Sequence, residues 1–307
     1  MAAGVTDGIL LVDKPGGITS AGVVRDVKRA HRVSSIGHLG TLDPMATGLL
    51  PLCIGAGTKI AQFLGAEHKA YTGTIRLGVA TDTLDVEGQV VAEAAVPGNV
   101  GERLAAVAAG LTGPGEQLPP MYSAVKMKGR PLYELARAGV TVERAPRPIE
   151  ILDLALSPCE HTPDLIAFAV RCSKGTYVRV LAEDVARALG TVGTLASLRR
   201  TEFGDFAVAE AHPLATILER PRGDLPTIPP QDALRSARRM SVAPAQAFAI
   251  ASGQKAGLAG LEPPASSERL AALLAPNGGL LAILEAERGA WALRRVVMPE
   301  ASQLYRP

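Results

Sequence analysis

Between Tyr71 and Val79 the chain alternates with period two: Tyr71, Gly73, Ile75, Leu77 and Val79 fall on one side, and Thr72, Thr74, Arg76 and Gly78 on the other. This is the pattern of a strand with one face in a core. Residues 8–13, Gly-Ile-Leu-Leu-Val-Asp, form a short apolar run closed by Lys14-Pro15-Gly16-Gly17, which predicts a buried strand ending in a turn. A helix should follow, capped by Thr19 or Ser20, with Val23, Val24, Val27 and Ala30 inward and Arg25, Lys28, Arg29 and Arg32 on the opposite side. Helical spacing returns over 99–112, strands fit 149–157 and 165–172, and a helix near 179–189 is ended by Gly190. Strands and helices thus mix without a regular βαβ rhythm. The expected fold is α+β, on a mixed, largely antiparallel central sheet with flanking helices, and not a doubly wound one.

The 307 residues suffice for one large domain and a small appendage. Prolines at 221, 226, 229 and 230 suggest a linker or domain boundary, giving expected domains of 1–225 and 226–307. In the second, Leu280–Leu284 and Trp291–Val297 flank a turn and predict a small β-rich domain. Residues 119–148 are unusually polar, with Lys126, Lys128, Arg130, Arg137, Arg144 and Arg147, and read as a protruding basic loop or hairpin-helix excursion.

A hydrophobic fraction of 47% and a charged fraction of 20% are those of an ordinary globular chain, not a disordered one. No apolar run approaches the ~20 residues of a membrane span, and the first residues lack a signal-peptide pattern, so a cytoplasmic protein is expected. Cys53, Cys159 and Cys172 are widely spaced and read as reduced core thiols, not zinc ligands. A net charge of +2 is too small to argue for nucleic acid, so such a partner must be read from local clusters. Three exist: the helix face from Arg25 to Arg32, the excursion, and Lys174 with Arg199 and Arg200.

The segment Gly37-His38-Leu39-Gly40-Thr41-Leu42-Asp43-Pro44-Met45-Ala46-Thr47-Gly48 carries the most chemical information. Its glycines permit tight turns and close approach of a ligand, and Pro44 holds Asp43 extended. A carboxylate so fixed can serve as a nucleophile or as a charge stabiliser. The ordinary reading of Asp-Pro is a helix N-cap with proline at the first helical position. His38 reads locally as a turn residue, and Tyr71 as a half-buried strand aromatic. The acidic stretch from Thr81 to Gly88 lacks the alternation of a calcium loop, so no metal is expected there. Ser173-Lys174-Gly175-Thr176-Tyr177-Val178-Arg179 joins a strand to a helix through a turn whose cations and aromatic could hold a base or a phosphate.

Together, Gly8 to Pro15, Gly37 to Gly48, Tyr71 with Arg76-Leu77-Gly78 and Thr81-Asp82-Thr83, Pro120-Met121-Tyr122-Ser123-Ala124, and Cys172 to Arg179 closely resemble the TruB family of pseudouridine synthases. The resemblance runs over roughly 8–206 in the family's order; Leu39 departs from it, where the family more often has a small or polar residue. It implies the pseudouridine synthase type of sheet and isomerisation of uridine 55 in the TΨC loop of tRNA, with neither cofactor nor metal. Asp43 is then the nucleophile, attacking either C1′ of the ribose or C6 of the base, and Arg179 its ion-pair partner, with Asp85 sharing that arginine. Tyr71 stacks on the flipped base and is the candidate for assisting proton removal from C5. Tyr177 and Leu198 line the pocket, His38 fills the space the base vacates, and Lys14 supports the catalytic loop. The basic clusters would meet T-arm phosphates, and the tail from about 235 resembles a PUA-like RNA-binding domain that touches the acceptor end. A monomer with no obligate protein partner is expected.

Two competitors remain at this level. One is a tRNA-binding or tRNA-folding protein without catalysis, against which the joint presence of Asp43, Tyr71, Tyr177 and Arg179 counts. The other is a nucleoside hydrolase or glycosidase, which generally needs two carboxylates in acid and base roles or a metal.

Overall fold

The computed structural model describes residues 7–298 apart from 66, 67, 124, 125, 128, 138 and 141, and, for side chains only, apart from 126, 127, 130, 131, 133, 137 and 255. The core is one mixed sheet. Its principal strands are β1 (Gly8–Lys14), β2 (Ile36–His38), β3 (Thr47–Ile54), β4 (His68–Leu77), β5 (Gly113–Gln117), β6 (Arg147–Pro158), β7 (Leu165–Ser173) and β8 (Gly193–Phe203). They run in the order β1-β3-β8-β4-β7-β6-β5, with β2 on the side of β3. All of these pairings are antiparallel except that of β3 with β8. The expected α+β class is therefore the one observed.

The parallel contact is short: Arg199 pairs with Thr47 and Arg200 with Gly48. It joins the half-sheet of β1, β2 and β3 to the half-sheet of β4 to β8. Gly48 has φ of +95°, and a Cβ there would run into the carbonyl oxygen of Arg200. Only glycine lets the two backbones meet.

The uninterrupted apolar run of β1 is explained by burial on both faces. Leu10 and Val12 enter a cluster with Val23, Val27, Leu50, Leu52, Tyr71 and Ile75. Ile9 and Leu11 enter a second one with Leu49, Phe203, Phe206, Ala272, Leu280 and Ile283. The second cluster carries the sheet against the C-terminal unit. That unit is a four-stranded sheet ordered Arg238–Ser241, Leu270–Leu274, Leu280–Glu287 and Ala290–Val296, the β-rich appendage expected from the sequence.

Helix α1 (Ser20–His31) is capped by Thr19, whose Oγ1 accepts from Gly22 N at 2.9 Å. Val23 and Val27 are buried as expected, but Ala30 is exposed and His31 takes the inward place. Its Nε2 lies 2.8 Å from Ile217 O, and its Nδ1 accepts from Gly223 N at 3.3 Å, contacts too remote in sequence to be legible. Helices α2 (Val100–Leu111) and α3 (Val178–Ala188) complete the layer, and Gly190 ends the latter with φ of +84°.

The proline-rich stretch near 221–233 folds back onto the first sheet. Thr227 and Ile228 pair with Leu10 and Ile9 of β1, and the four-stranded sheet starts only at Arg238. Lys126–Met127 pairs antiparallel with Arg130–Pro131, and a short helix, Leu132–Arg137, follows, with Arg144 Nη1 donating to Pro119 O at 2.8 Å across the base. The side chains of Lys126, Lys128, Arg130 and Arg137, expected to form its basic surface, lie outside the described residues. Cys53, Cys159 and Cys172 are free thiols. Among the described residues no helix is long and apolar enough to cross a membrane.

Gly48→Ala should destabilise the protein by about 3 kcal/mol or more, since strain and a backbone collision act together. At Gly37 a Cβ meets nothing within 4 Å, so Gly37→Ala should stay within about 0.5 kcal/mol of the parent, both variants being compared with it by urea titration.

Candidate active site

The loop between β2 and β3 is held from outside and not by regular structure of its own. Ser20 Oγ accepts from Leu42 N at 2.9 Å and donates to Leu42 O at 3.1 Å. Pro44 O accepts from Gly17 N at 2.8 Å and from Lys14 Nζ at 3.1 Å. Lys14 has no exposed surface, and burial lowers its amine to about 8 even though Asp43 favours its charge. Its ammonium ties β1 to the loop through Pro15 O and Pro44 O.

No helix begins at Asp43. Residues 41–46 form a bend in which Ala46 N donates to Asp43 O at 3.1 Å, and β3 follows at Thr47. The helix-cap reading of Asp-Pro is corrected: proline sets an extended approach to a bend, and the carboxylate makes no hydrogen bond to backbone amides of the described residues. Its partner is Arg179, in the first turn of α3. Arg179 Nε lies 3.0 Å from Asp43 Oδ2, and Nη2 donates to Asp43 Oδ1 at 3.4 Å. The guanidinium also donates to Thr83 O at 2.8 Å and Tyr122 O at 2.7 Å, and its Nη1 is 3.8 Å from Asp85 Oδ2. The side chain of Arg179 is 6% exposed and that of Asp43 35%, so the arginine is part of the wall while the carboxylate still faces outward.

Burial pushes the Asp43 carboxyl above its ordinary range, Asp85 adds to this, and Arg179 and Lys14 oppose it. Asp85 is held separately, accepting from Thr83 Oγ1 at 2.7 Å and Glu87 N at 3.1 Å. The stretch Thr81–Gly88 is thus a turn that orients Asp85 toward Arg179. Among the described residues no cluster of His, Cys, Asp and Glu is arranged to hold a metal ion.

Tyr71 lies on β4 directly opposite Arg200 of β8, and Leu198 opposite Gly73 two residues along the same face. Both Tyr71 and Leu198 are buried, and burial raises the pKa of the Tyr71 phenol, with Arg200 opposing and Asp43 adding to the rise. Tyr177 precedes α3, its N–H donating to Gln117 Oε1 at 2.8 Å. His38 is not in a turn but ends β2 opposite Leu52; its buried Nδ1 has no partner among the described residues, and burial and Arg200 lower its pKa.

Three contributors escaped the sequence reading. Ser20 and Gln117 are polar residues remote from the motifs they hold. Arg200, read there as a surface cation, is wholly buried. The signal was present, because Arg200 follows Leu198 by two residues and therefore shares its inward face. Arg199 points the other way and forms a bidentate pair with Asp13, at 3.0 and 2.7 Å.

A sequence profile described as TruB family pseudouridylate synthase (N terminal domain) matches residues 28–178. The protein called tRNA pseudouridine synthase B of Aromatoleum aromaticum is 51% identical over 213 residues, covering 69% of this chain and 68% of the relative. The one so called from Azoarcus sp. is 40% identical over 303 residues, 97% of each chain. Among solved structures, a chain of a Cbf5–Nop10–Gar1 complex superposes with a TM-score of 0.69 at 22% identity, covering 96% of this chain and 86% of that one, a likeness of fold. With an arginine-held aspartate at the matched motif and a relative that is 40% identical over 97% of its length, the chain belongs to the TruB family of pseudouridylate synthases.

Proposed function

We propose that this chain isomerises uridine 55 to pseudouridine in the TΨC loop of tRNA, with Asp43 as the nucleophile. The observation that carries the reading is the Asp43–Arg179 pair: a partly exposed carboxylate on an externally pinned loop, charge-balanced by a buried guanidinium. The names of the relatives support tRNA as the substrate.

The reaction breaks the N1–C1′ bond and forms a C5–C1′ bond, so the uracil must be held while it turns. A covalent adduct to a carboxylate meets that need. Arg179 keeps the carboxylate oriented and favours its charged form. Flipping a uridine out of a loop costs a few kcal/mol, and stacking on Tyr71 returns ~1–3 kcal/mol. Leu198 and Tyr177 complete a wall that excludes water and strengthens the charges inside. Tyr71 also receives the C5 proton in this reading, and His38 takes the place of the flipped base.

Arg25, Lys28, Arg29 and Arg32 are exposed along α1, within reach of a polyanion. Arg200 is withdrawn from the phosphate-binding set because it has no exposed surface, and Arg199 is engaged by Asp13. The C-terminal sheet is read as a PUA-like unit for the acceptor end, and the division into 1–225 and 226–307 as catalytic and RNA-binding parts. A cytoplasmic monomer that acts alone completes the proposal.

Incubation with unmodified tRNA should place pseudouridine at position 55, detected by carbodiimide mapping; tight binding without product would favour the binding-protein alternative, and released uracil a hydrolase. Asp43→Asn should lower the single-turnover rate by about 10⁴-fold or more with tRNA affinity preserved. Its urea midpoint should stay near the parent's, because no helix depends on that carboxylate.

The acid limb of the pH–rate profile should lie above the ordinary aspartate value of 3.8, with activity lost as pH falls through the raised pKa. In Arg179→Met, desolvation and Asp85 act unopposed by that cation, so the limb should move to still higher pH; an unmoved limb would separate Arg179 from the nucleophile.

A further inference from the structure

Arg200 is the largest fully buried side chain of the described residues, with 0% exposure. Its Nε donates to Leu49 O at 2.7 Å and its Nη2 to Gly40 O at 3.0 Å, both neutral carbonyls. The buried Nη1 makes no hydrogen bond of standard geometry to the described residues, and none of their carboxylates lies within ion-pair distance. The guanidinium carbon stands 5.2 Å from the centroid of the Phe203 ring, which Lys69 Nζ also approaches at 5.4 Å. A cation kept dry without an anion is costly, whereas a Leu or Met would fill the same space without that penalty.

The group placed to use this charge is Tyr71. Directly opposed residues of an antiparallel pair share a face with their Cβ atoms ~5 Å apart, and Arg200 and Tyr71 are so opposed. The geometry points to Arg200 as the positioning residue that holds the Tyr71 oxygen in place and stabilises its phenolate during the isomerisation. This rests on the reading of Tyr71 as the group that takes the C5 proton. The proton balance closes without a co-reactant. The phenol gives its proton to N1 of the detached uracil, leaving a phenolate beside Arg200, and recovers one from C5 after the C5–C1′ bond has formed.

The other charges around the phenol agree with this arrangement. Burial raises the Tyr71 pKa; Asp43 on the loop and Cys172 on β7 raise it further, and Arg200 on β8 opposes them. The influence is mutual, since Tyr71 is the group that favours the charge of Arg200 against burial. Arg200 also grips Gly40 of the nucleophile's loop, so one side chain sets the base relative to Asp43.

Arg200→Gln should slow the chemical step by about 100-fold, in the range of a lost acid–base contribution, while tRNA affinity changes by less than about threefold. The limb of the pH–rate profile that reports the phenol should move to higher pH. Replacing tyrosine by the more acidic 3-fluorotyrosine should restore about tenfold of the loss in Arg200→Gln and change the parent little. Arg200→Lys, which keeps the cation and loses the fork, should fall between the two and serves the same comparison if the glutamine variant does not fold. A chemical step at the parental rate in either variant overturns the proposal. So does a slowed variant whose phenol limb is unmoved and which fluorotyrosine does not rescue, the behaviour of a plain structural staple. Tyr71→Phe at the parental rate would instead remove the reading of Tyr71 on which the proposal stands.

Discussion

The seam between β3 and β8 is the constraint on which the rest of the molecule depends. One side brings the aspartate loop, held by Lys14 and Ser20; the other brings Tyr71, Leu198 and, through β7 and α3, Arg179. Sheet hydrogen bonding across this line is confined to Arg199 with Thr47 and Arg200 with Gly48. A parallel junction so short contributes little ladder energy of its own. Its precision comes from side chains and from a missing one: Arg200 reaches back across β3 to Leu49 O and Gly40 O, and Gly48 removes the Cβ that would hold the strands apart. The relative placement of nucleophile and aromatic is thus fixed jointly by the Arg200 side chain and by the close backbone approach at Gly48.

Two buried arginines flank the site and are electrostatically unlike. Arg179 is matched to carboxylates, so its charge is part of a balanced set whose members still differ in exposure. Arg200 meets carbonyl dipoles and an aromatic ring, which orient it without neutralising it. Balanced charge suits a group that must stay ionised throughout; unbalanced charge suits a place where an anion forms only in passing.

Much of this was legible in the chain, and the illegible parts share one cause. The alternation from Tyr71 to Leu77, the double-sided burial of Gly8 to Lys14 and the glycine stop at 190 are local patterns, and each has its element in the structure, although β4 stops at Leu77 and Val79, beyond Gly78 with its φ of +84°, starts a separate strand. The motif resemblance then assembled residues no periodicity could connect. The reading failed where a residue's role is decided by a distant partner. Asp43 with Pro44 looks like a helix start, but Lys14 and Ser20 hold the loop in a bend. Ala30 and His31 exchange places because Ile217 and Gly223 offer His31 polar partners. Thr227 and Ile228 join the first sheet because β1 offers them a strand, a pairing that no local pattern announces.

The two carbonyls that Arg179 holds besides Asp43 belong to different parts of the chain, Thr83 in the turn after β4 and Tyr122 at the root of the basic excursion. The arginine therefore works as an interlock. Only when both segments are seated are its spare donors engaged and its remaining edge directed at the aspartate. A chain with either segment displaced would hold its nucleophile against a cation that is free to turn elsewhere, so reactivity is tied to completed assembly and not merely to the presence of the right residues.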